Sequence, residues 1–129
     1  MAGQLILADT SVLIDYYRKT NKVNAAWIAL IDKGYDFAIS AITKYELCSG
    51  ATQSQMAFWE SIFVSIPILS FDESCVDTAV HINAALKKKR KQIDLADLFI
   101  AATAMTNHLP VATLNKKHFD RIEGLSLVA

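Results

Sequence analysis

The sequence predicts a single α/β domain in which a short parallel sheet of about five strands carries helices on both faces. Two observations lead to this prediction. Short apolar runs alternate along the chain with longer segments whose apolar residues recur at helical spacing. The chain also has 129 residues, 53% of them apolar, which suffices for one core but not for two ordinary domains. Because neither a repeat nor a linker interrupts the pattern, we assign residues 1–129 to one domain.

Five short apolar runs are predicted to form the strands. They cover residues 4–8, 37–40, 68–70, 110–113 and 125–128. Short apolar strands that alternate with helices are typical of a parallel sheet that is covered on both faces. Ligands of such sheets bind beyond the carboxyl ends of the strands, so the residues that follow each strand are the first candidates for a functional site.

Helical spacing of apolar residues predicts the helices between the strands. The first helix covers residues 12–17, and Thr10 and Ser11 are candidate caps at its start. Gly34 is expected just past the end of the second helix, and Thr43 is expected to open the third. The predicted helices cover residues 12–17, 24–33, 43–48, 53–65, 72–90 and 94–107.

The composition also bears on the compartment. Two cysteines, Cys48 and Cys75, are too few for a disulfide scaffold or a cysteine zinc site. The N-terminal stretch MAGQLILADT has no basic segment, so we expect no secretory signal. The most apolar stretch, residues 98–105, is far shorter than the ~20 residues that a membrane-spanning helix needs. We therefore expect a soluble cytoplasmic protein without a membrane partner.

Charge is balanced overall but unevenly distributed. Residues 1–80 hold nine acids and five bases, whereas residues 81–129 hold four acids and eight bases, so the two parts carry −4 and +4. Five of the late bases are contiguous: Lys87, Lys88, Lys89, Arg90 and Lys91. Such a run is typical of a solvated helix end, but it also permits contact with the phosphates of RNA or DNA.

Three acids stand where the predicted elements meet one edge of the sheet. Asp9 closes the first strand, Glu46 lies on the helix after the second, and Asp97 lies in the first turn of the apolar helix before the fourth. An acid within LADLFIAATAM is costly to bury unless a cation or hydrogen bonds compensate it. We therefore expect these three side chains to converge.

Convergence of three carboxylates would require a bound cation or raised pKa values. At about 5 Å and an effective dielectric of ~20, each ionised pair repels by roughly 3 kcal/mol. Three pairs would total on the order of 10 kcal/mol, which is comparable with the stability of a whole domain. Oxygen ligands favour Mg²⁺ or Mn²⁺ over zinc. A divalent ion held by carboxylates suits hydrolysis of a phosphodiester, so nuclease chemistry is the leading hypothesis.

Four segments carry a family resemblance along nearly the whole chain. They are LADTSVLID, TKYELCSG, DLADLFIAATAM and PVATLNKKHFDRIEGL, in this order. Each segment alone is weakly specific, but the four together are specific. The sequence resembles the PIN-domain family, and most closely the VapC-type toxin ribonucleases of type II toxin–antitoxin systems.

The resemblance implies roles for individual side chains. The family's metal-binding acids fall on Asp9, Glu46 and Asp97, and a hydroxyl that follows the first acid falls on Thr10 or Ser11. The late strand-end motif falls on Thr113 and Asn115, and Asn115 is predicted to act in catalysis. At His118 many members carry a further acid, and this departure leads us to expect one well-held metal ion rather than two.

The resemblance also implies a reaction and partners. The expected activity is Mg²⁺- or Mn²⁺-dependent endonucleolytic cleavage of RNA, in which a metal-activated water leaves a 5′-phosphate and a 3′-hydroxyl. The expected partners are an RNA substrate, a second copy of the chain in a homodimer, and a cognate VapB-type antitoxin, with which a higher hetero-oligomer can form. His118 is expected to support the site as a structural or groove-edge residue. The candidate RNA contacts are the basic residues Lys87, Lys88, Lys89, Arg90, Lys91, Lys116 and Lys117.

Simpler interpretations remain open for each acid. Asp9 could cap the first helix, Glu46 could be an exposed helix acid, and Asp97 could be a favourable charge at a helix N-terminus. Asp94, three residues before Asp97, is predicted to be the N-cap of the sixth helix, with a supporting role at the site as the alternative.

Two other functions also remain open. One is a catalytically inactive PIN scaffold that binds a partner or RNA. The other is a phosphoacceptor module that forms an aspartyl phosphate on Asp9, for which Lys116 lies near the expected lysine.

Overall fold

A computed structural model describes residues 3–128 of the chain. The predicted domain of 1–129 also includes residues 1, 2 and 129, which lie outside the described residues. The strands are β1 (Leu5–Ala8), β2 (Asp36–Ser40), β3 (Ile68–Leu69) and β4 (Val111–Ala112). The helices are α1 (Thr10–Arg18), α2 (Ala26–Asp32), α3 (Ala41–Cys48), α4 (Gln53–Phe63), α5 (Glu73–Lys88), α6 (Leu95–Thr106) and α7 (Lys116–Phe119). A 3₁₀ turn, Lys22–Asn24, precedes α2.

The strands form one parallel sheet in the order β3-β2-β1-β4. The fifth predicted strand, residues 125–128, is reduced to a single parallel bridge between Val111 and Leu127. Two backbone hydrogen bonds hold this bridge: Val111 N–H donates to the Ser126 carbonyl at 2.9 Å, and Val128 N–H donates to the Val111 carbonyl at 2.9 Å. The parallel sheet with helices on both faces is therefore confirmed.

Alternate residues of the central strands supply the two halves of the core. Ile6 and Ala8 face α1, α2 and α4, whereas Leu7 between them faces α5 and α6. Helix α6 is apolar on most sides and contributes residues that are completely buried, such as Ile100. Because both faces of the sheet are covered, the open edge at the carboxyl ends of the strands is left for a site.

The helix starts differ from the predicted ones where side chains cap the helices. The cap of α1 is Asp9, not Thr10 or Ser11, because the Asp9 carboxylate accepts the first free N–H groups of the helix. Helix α3 begins at Ala41 with Ser40 as its cap, so Thr43 lies inside the helix and is completely buried. Helix α7 was not predicted, because its four residues are too short for a periodic pattern.

Gly34 confirms the predicted end of α2. It follows the C-cap residue Lys33 and has a φ of +93°, which L-residues with a side chain rarely adopt. Within residues 3–128, none of the helices combines the length and the apolar character that a membrane crossing requires.

Truncation of a buried side chain on α6 should destabilise the fold far more than the same truncation at the surface. Ile100 is 0% exposed, and Ile100→Ala should lower the free energy of unfolding by about 2–5 kcal/mol because it leaves a cavity. Ile31 on α2 is 45% exposed, and Ile31→Ala should change this free energy by only about 0.5 kcal/mol. Urea unfolding of both variants measures the difference, and equal losses would contradict the central position of α6.

Candidate active site

Asp9 stands at the junction of β1 and α1 and is only 2% exposed. Its Oδ1 accepts hydrogen bonds from the Ser11 hydroxyl at 2.5 Å and from the backbone N–H groups of Ser11 at 3.1 Å and Val12 at 3.4 Å. Its Oδ2 accepts a hydrogen bond from the Thr113 hydroxyl at 2.7 Å. Both oxygens of this buried carboxylate are therefore hydrogen-bonded, as burial requires.

The two hydroxyls that hold Asp9 are themselves held by the segment that follows β4. Leu114 N–H donates to the Ser11 hydroxyl at 3.0 Å, and Asn115 N–H donates to the Thr113 hydroxyl at 2.8 Å. Because each hydroxyl accepts one of these bonds, its own proton points to Asp9. The carboxylate thus ties the start of α1 to the end of β4, 104 residues away in the chain.

Burial raises the pKa of the Asp9 carboxyl above its usual value of 3.8. The hydrogen bonds from Ser11, Thr113 and Val12 act in the opposite direction, and the negative charge of Asp97 raises the pKa further. This effect of Asp97 indicates that the two carboxylates lie within range of mutual repulsion. A cation between them would remove both the repulsion and part of the burial penalty.

Asp97 lies in the first turn of α6 and faces the short helix α7. Its Oδ2 is 3.1 Å from Nδ1 of His118, and the two side chains are 16% and 40% exposed, respectively. His118 therefore contacts one of the predicted metal-binding acids directly. The imidazole holds the Asp97 carboxylate at the edge of the site.

Glu46 is exposed on α3 and is linked to the rest of the site by a hydroxyl. The Thr10 hydroxyl donates to Glu46 Oε1 at 2.5 Å and lies 3.1 Å from the hydroxyl of Thr43, which is completely buried. Sequence reasoning missed Thr43. Its spacing of three residues before Glu46 was the available signal, because residues three apart share a helix face.

The remaining predicted residues have different positions. Asp94 occupies the predicted N-cap position of α6, but it is exposed and its side chain makes no capping hydrogen bond. Asn115 is exposed and joins the Asp9 network through its backbone N–H. Lys116 and Lys117 are exposed on α7, beside His118. The run Lys87–Lys91 is exposed at the end of α5, and its role in RNA binding stays a prediction.

The side chains of the site fit a hard cation by their chemistry, because the three acids offer only oxygen donors. Within residues 3–128, however, no three His, Cys, Asp or Glu side chains are grouped so that together they could hold a metal ion. Each acid is instead hydrogen-bonded to a protein group: Asp9 to Ser11 and Thr113, Glu46 to Thr10, and Asp97 to His118. The pair formed by the buried Asp9 and the half-buried Asp97 fits a cation best, and the complete ligand set stays a prediction.

Comparison with known proteins agrees with this fold. A family model of the PIN domain matches residues 6–125. Ribonuclease VapC1 of Methanocaldococcus jannaschii is 38% identical over 123 residues, which cover 95% of this chain and 84% of that protein. The tRNA(fMet)-specific endonuclease VapC of Shigella flexneri is 32% identical over 92 residues, which cover 67% of this chain and 70% of that protein.

A solved structure described as a toxin–antitoxin complex from Klebsiella pneumoniae contains a chain with the same fold. It has a TM-score of 0.73 and 27% identity, and the alignment covers 93% of this chain and 94% of that chain. The parallel sheet and its helices define the class of protein that the family model describes. The chain therefore belongs to the PIN-domain family and, within it, to the VapC ribonucleases.

Replacement of the buried charge should change how stability depends on pH. Asp9→Asn keeps the shape of the side chain but cannot ionise. Because the pKa of Asp9 is raised in the folded state, wild-type protein has the full contribution of this group below the usual value of 3.8 and loses it as pH rises through the folded pKa. In buffers freed of divalent metal, the unfolding free energy of Asp9→Asn should therefore rise relative to that of wild type as the pH rises. Urea unfolding of both proteins across this pH range measures the difference. A difference independent of pH would contradict a destabilising charge on Asp9.

Proposed function

We propose that this protein is a metal-dependent endoribonuclease that acts as the toxin of a toxin–antitoxin pair. The reaction is hydrolysis of an RNA phosphodiester that requires Mg²⁺ or Mn²⁺ and leaves a 5′-phosphate and a 3′-hydroxyl. The observation that carries the proposal is the buried Asp9 carboxylate, whose two oxygens are held in place and which is repelled by Asp97. A carboxylate in this environment is suited to hold a cation at the edge of the sheet.

The chain's own residues orient the groups of the reaction. Ser11 and Thr113 hold Asp9 in one orientation, and His118 holds Asp97. Thr10 holds Glu46, which is exposed and can accept a proton from an attacking water. When bound between these acids, a divalent cation supplies Lewis acidity that polarises the phosphate and lowers the pKa of water.

We propose that one cation suffices for this chain. His118 contributes nitrogen where many members of the family contribute a further carboxylate, and Mg²⁺ prefers oxygen ligands. His118 is also engaged with Asp97. Asn115, which is exposed next to this pair, then supports the site through its side-chain amide.

The substrate class is RNA, and transfer RNA is the first candidate to test. A relative that is 32% identical over 67% of this chain carries the name tRNA(fMet)-specific endonuclease. Mapping of new 5′ ends in total RNA after induction identifies the cleaved species without presuming it.

The proposed partners follow from the same relationship. A VapB-type antitoxin would hold the toxin inactive in the cytoplasm, and two copies of this chain would form a homodimer. A structure with the same fold is described as a toxin–antitoxin complex, which supports the antitoxin. Co-expression with the adjacent reading frame, followed by size-exclusion chromatography with light scattering, tests both partners.

Removal of the charge of either Asp9 or Asp97 should abolish cleavage. Asp9→Asn and Asp97→Asn should each lower the rate on a tRNA pool by at least about 100-fold, because the cation loses a charged ligand. Asp120→Asn is the matched control, since Asp120 is exposed at the end of α7 and outside the site. It should retain nearly full activity.

Three outcomes would contradict the proposal. Cleavage by pure Asp9→Asn at the wild-type rate would remove Asp9 from the site. A folded wild-type protein without cleavage of any RNA would favour an inactive scaffold. A stable aspartyl phosphate on Asp9 would favour a phosphoacceptor module.

Divalent metal should control both activity and stability. EDTA should stop cleavage, and Mg²⁺ or Mn²⁺ should restore it. Because the ion binds the folded state, a 100-fold excess over its dissociation constant should stabilise wild-type protein by about 2.7 kcal/mol. Thermal unfolding with added Mn²⁺ should therefore raise the Tm of wild type but not of Asp9→Asn, with NaCl at equal ionic strength as the control. Cleavage that resists the chelator would indicate another mechanism.

A further inference from the structure

Leu114 lines two surface grooves, and its backbone N–H donates to the Ser11 hydroxyl of the Asp9 network. It follows Thr113 in the chain and its side chain is 53% exposed. One groove, of about 510 Å³, runs from Leu114 past Ser11 to Arg18 and Lys19 at the end of α1. The other, of about 400 Å³, runs from Leu114 along α7 past Lys116 and Lys117 to His118. Both grooves therefore start beside the groups that hold the buried carboxylate.

The outer parts of both grooves are positively charged. Asp15 is the acid that lines the first groove, and it is already engaged: its Oδ2 accepts the Ala26 N–H at 2.9 Å, and its Oδ1 lies 3.6 Å from Lys19 Nζ. Among residues 3–128, no carboxylate oxygen lies within 4.0 Å of the charged groups of Arg18, Lys116 or Lys117. These three basic side chains are thus available to an anionic ligand.

We propose that the two grooves form one track for single-stranded RNA, with Leu114 at its centre. Arg18 binds the backbone phosphate on one side of Leu114, and Lys116 and Lys117 bind phosphates on the other side. The nucleotide between them crosses the edge of the sheet that carries Asp9 and Asp97. This assignment rests on the proposed ribonuclease function and names the residues that position its substrate.

The exposed leucine selects an unpaired strand. An apolar side chain between two basic grooves can pack against the face of a base only if that base is not stacked in a duplex. The basic side chains on either side of Leu114 neutralise phosphates whatever the nucleotide sequence of the RNA. The two arms of the track are the groove with Arg18 and the groove with Lys116 and Lys117. The track therefore predicts a preference for unpaired RNA, with little dependence on the nucleotide sequence in either arm.

Binding and cleavage can be measured separately, which tests the track without presuming turnover. The probe is a 5′-fluorescein-labelled, unstructured RNA of twelve nucleotides, titrated by fluorescence anisotropy at several salt concentrations. The protein is the full chain with Asp9→Asn, which is expected not to cleave. Arg18→Gln should weaken binding several-fold and reduce the slope of log Kd against log salt by about 0.7, the value for one phosphate contact on a single strand. Lys116→Gln with Lys117→Gln should reduce this slope by about 1.4.

Two further variants separate the track from general charge attraction. Arg121→Gln removes one charge at an exposed position outside both grooves, where Arg121 donates to the Gln92 carbonyl, and should change Kd by less than about twofold. Leu114→Ser leaves all charges in place and should weaken binding of the single strand but not of a duplex of equal length. If Arg121→Gln weakens binding as much as Arg18→Gln, or if the duplex binds as tightly as the single strand, the track is wrong.

Cleavage assays distinguish failure of the track from failure of the proposed function. If the chain with Asp9 intact cleaves RNA and the arm variants leave KM unchanged, the ribonuclease proposal holds and the track is overturned. If it cleaves no RNA but the arm variants show the expected binding losses, the track holds and the ribonuclease proposal fails. If the track is right, the arm variants raise KM by the same factor as Kd and change kcat little, because they contact the substrate away from the reacting phosphate.

Discussion

The buried carboxylate of Asp9 is the constraint on which the site depends. A charged group at 2% exposure is expensive unless donors surround it, and four hydrogen bonds from α1 and from Thr113 at the end of β4 provide them. The same bonds join the end of β1 to the end of β4. The fold thus buries the charge, and the buried charge holds two distant segments together.

The hydrogen bonds do not compensate the charge fully, because burial and Asp97 still raise the pKa of Asp9. This remaining penalty is what makes the edge of the sheet suited to a cation. The other two acids are held by single side chains: Glu46 by the Thr10 hydroxyl and Asp97 by the His118 imidazole. These contacts keep each carboxylate at the edge of the sheet.

The acidic and the basic side chains lie in different parts of this site. The acids occupy the edge of the sheet, and the basic side chains of Arg18, Lys116 and Lys117 line two grooves beside it. Such an arrangement allows an RNA backbone to be attracted without neutralising the acids themselves. The uneven charge of the sequence thus has a spatial counterpart, although Arg18 comes from the acidic part of the chain.

The sequence by itself determined the α/β class and the approximate strands and drew attention to three candidate acids, because alternating apolar runs and acids after strands are local patterns. Only the tertiary structure decided that Asp9 caps α1, that Thr113 donates to it across 104 residues, and that His118 contacts Asp97. It also revealed the buried Thr43 next to Thr10. These contacts depend on how the strands and helices pack, and spacing along one chain does not encode distances between elements that meet only after folding.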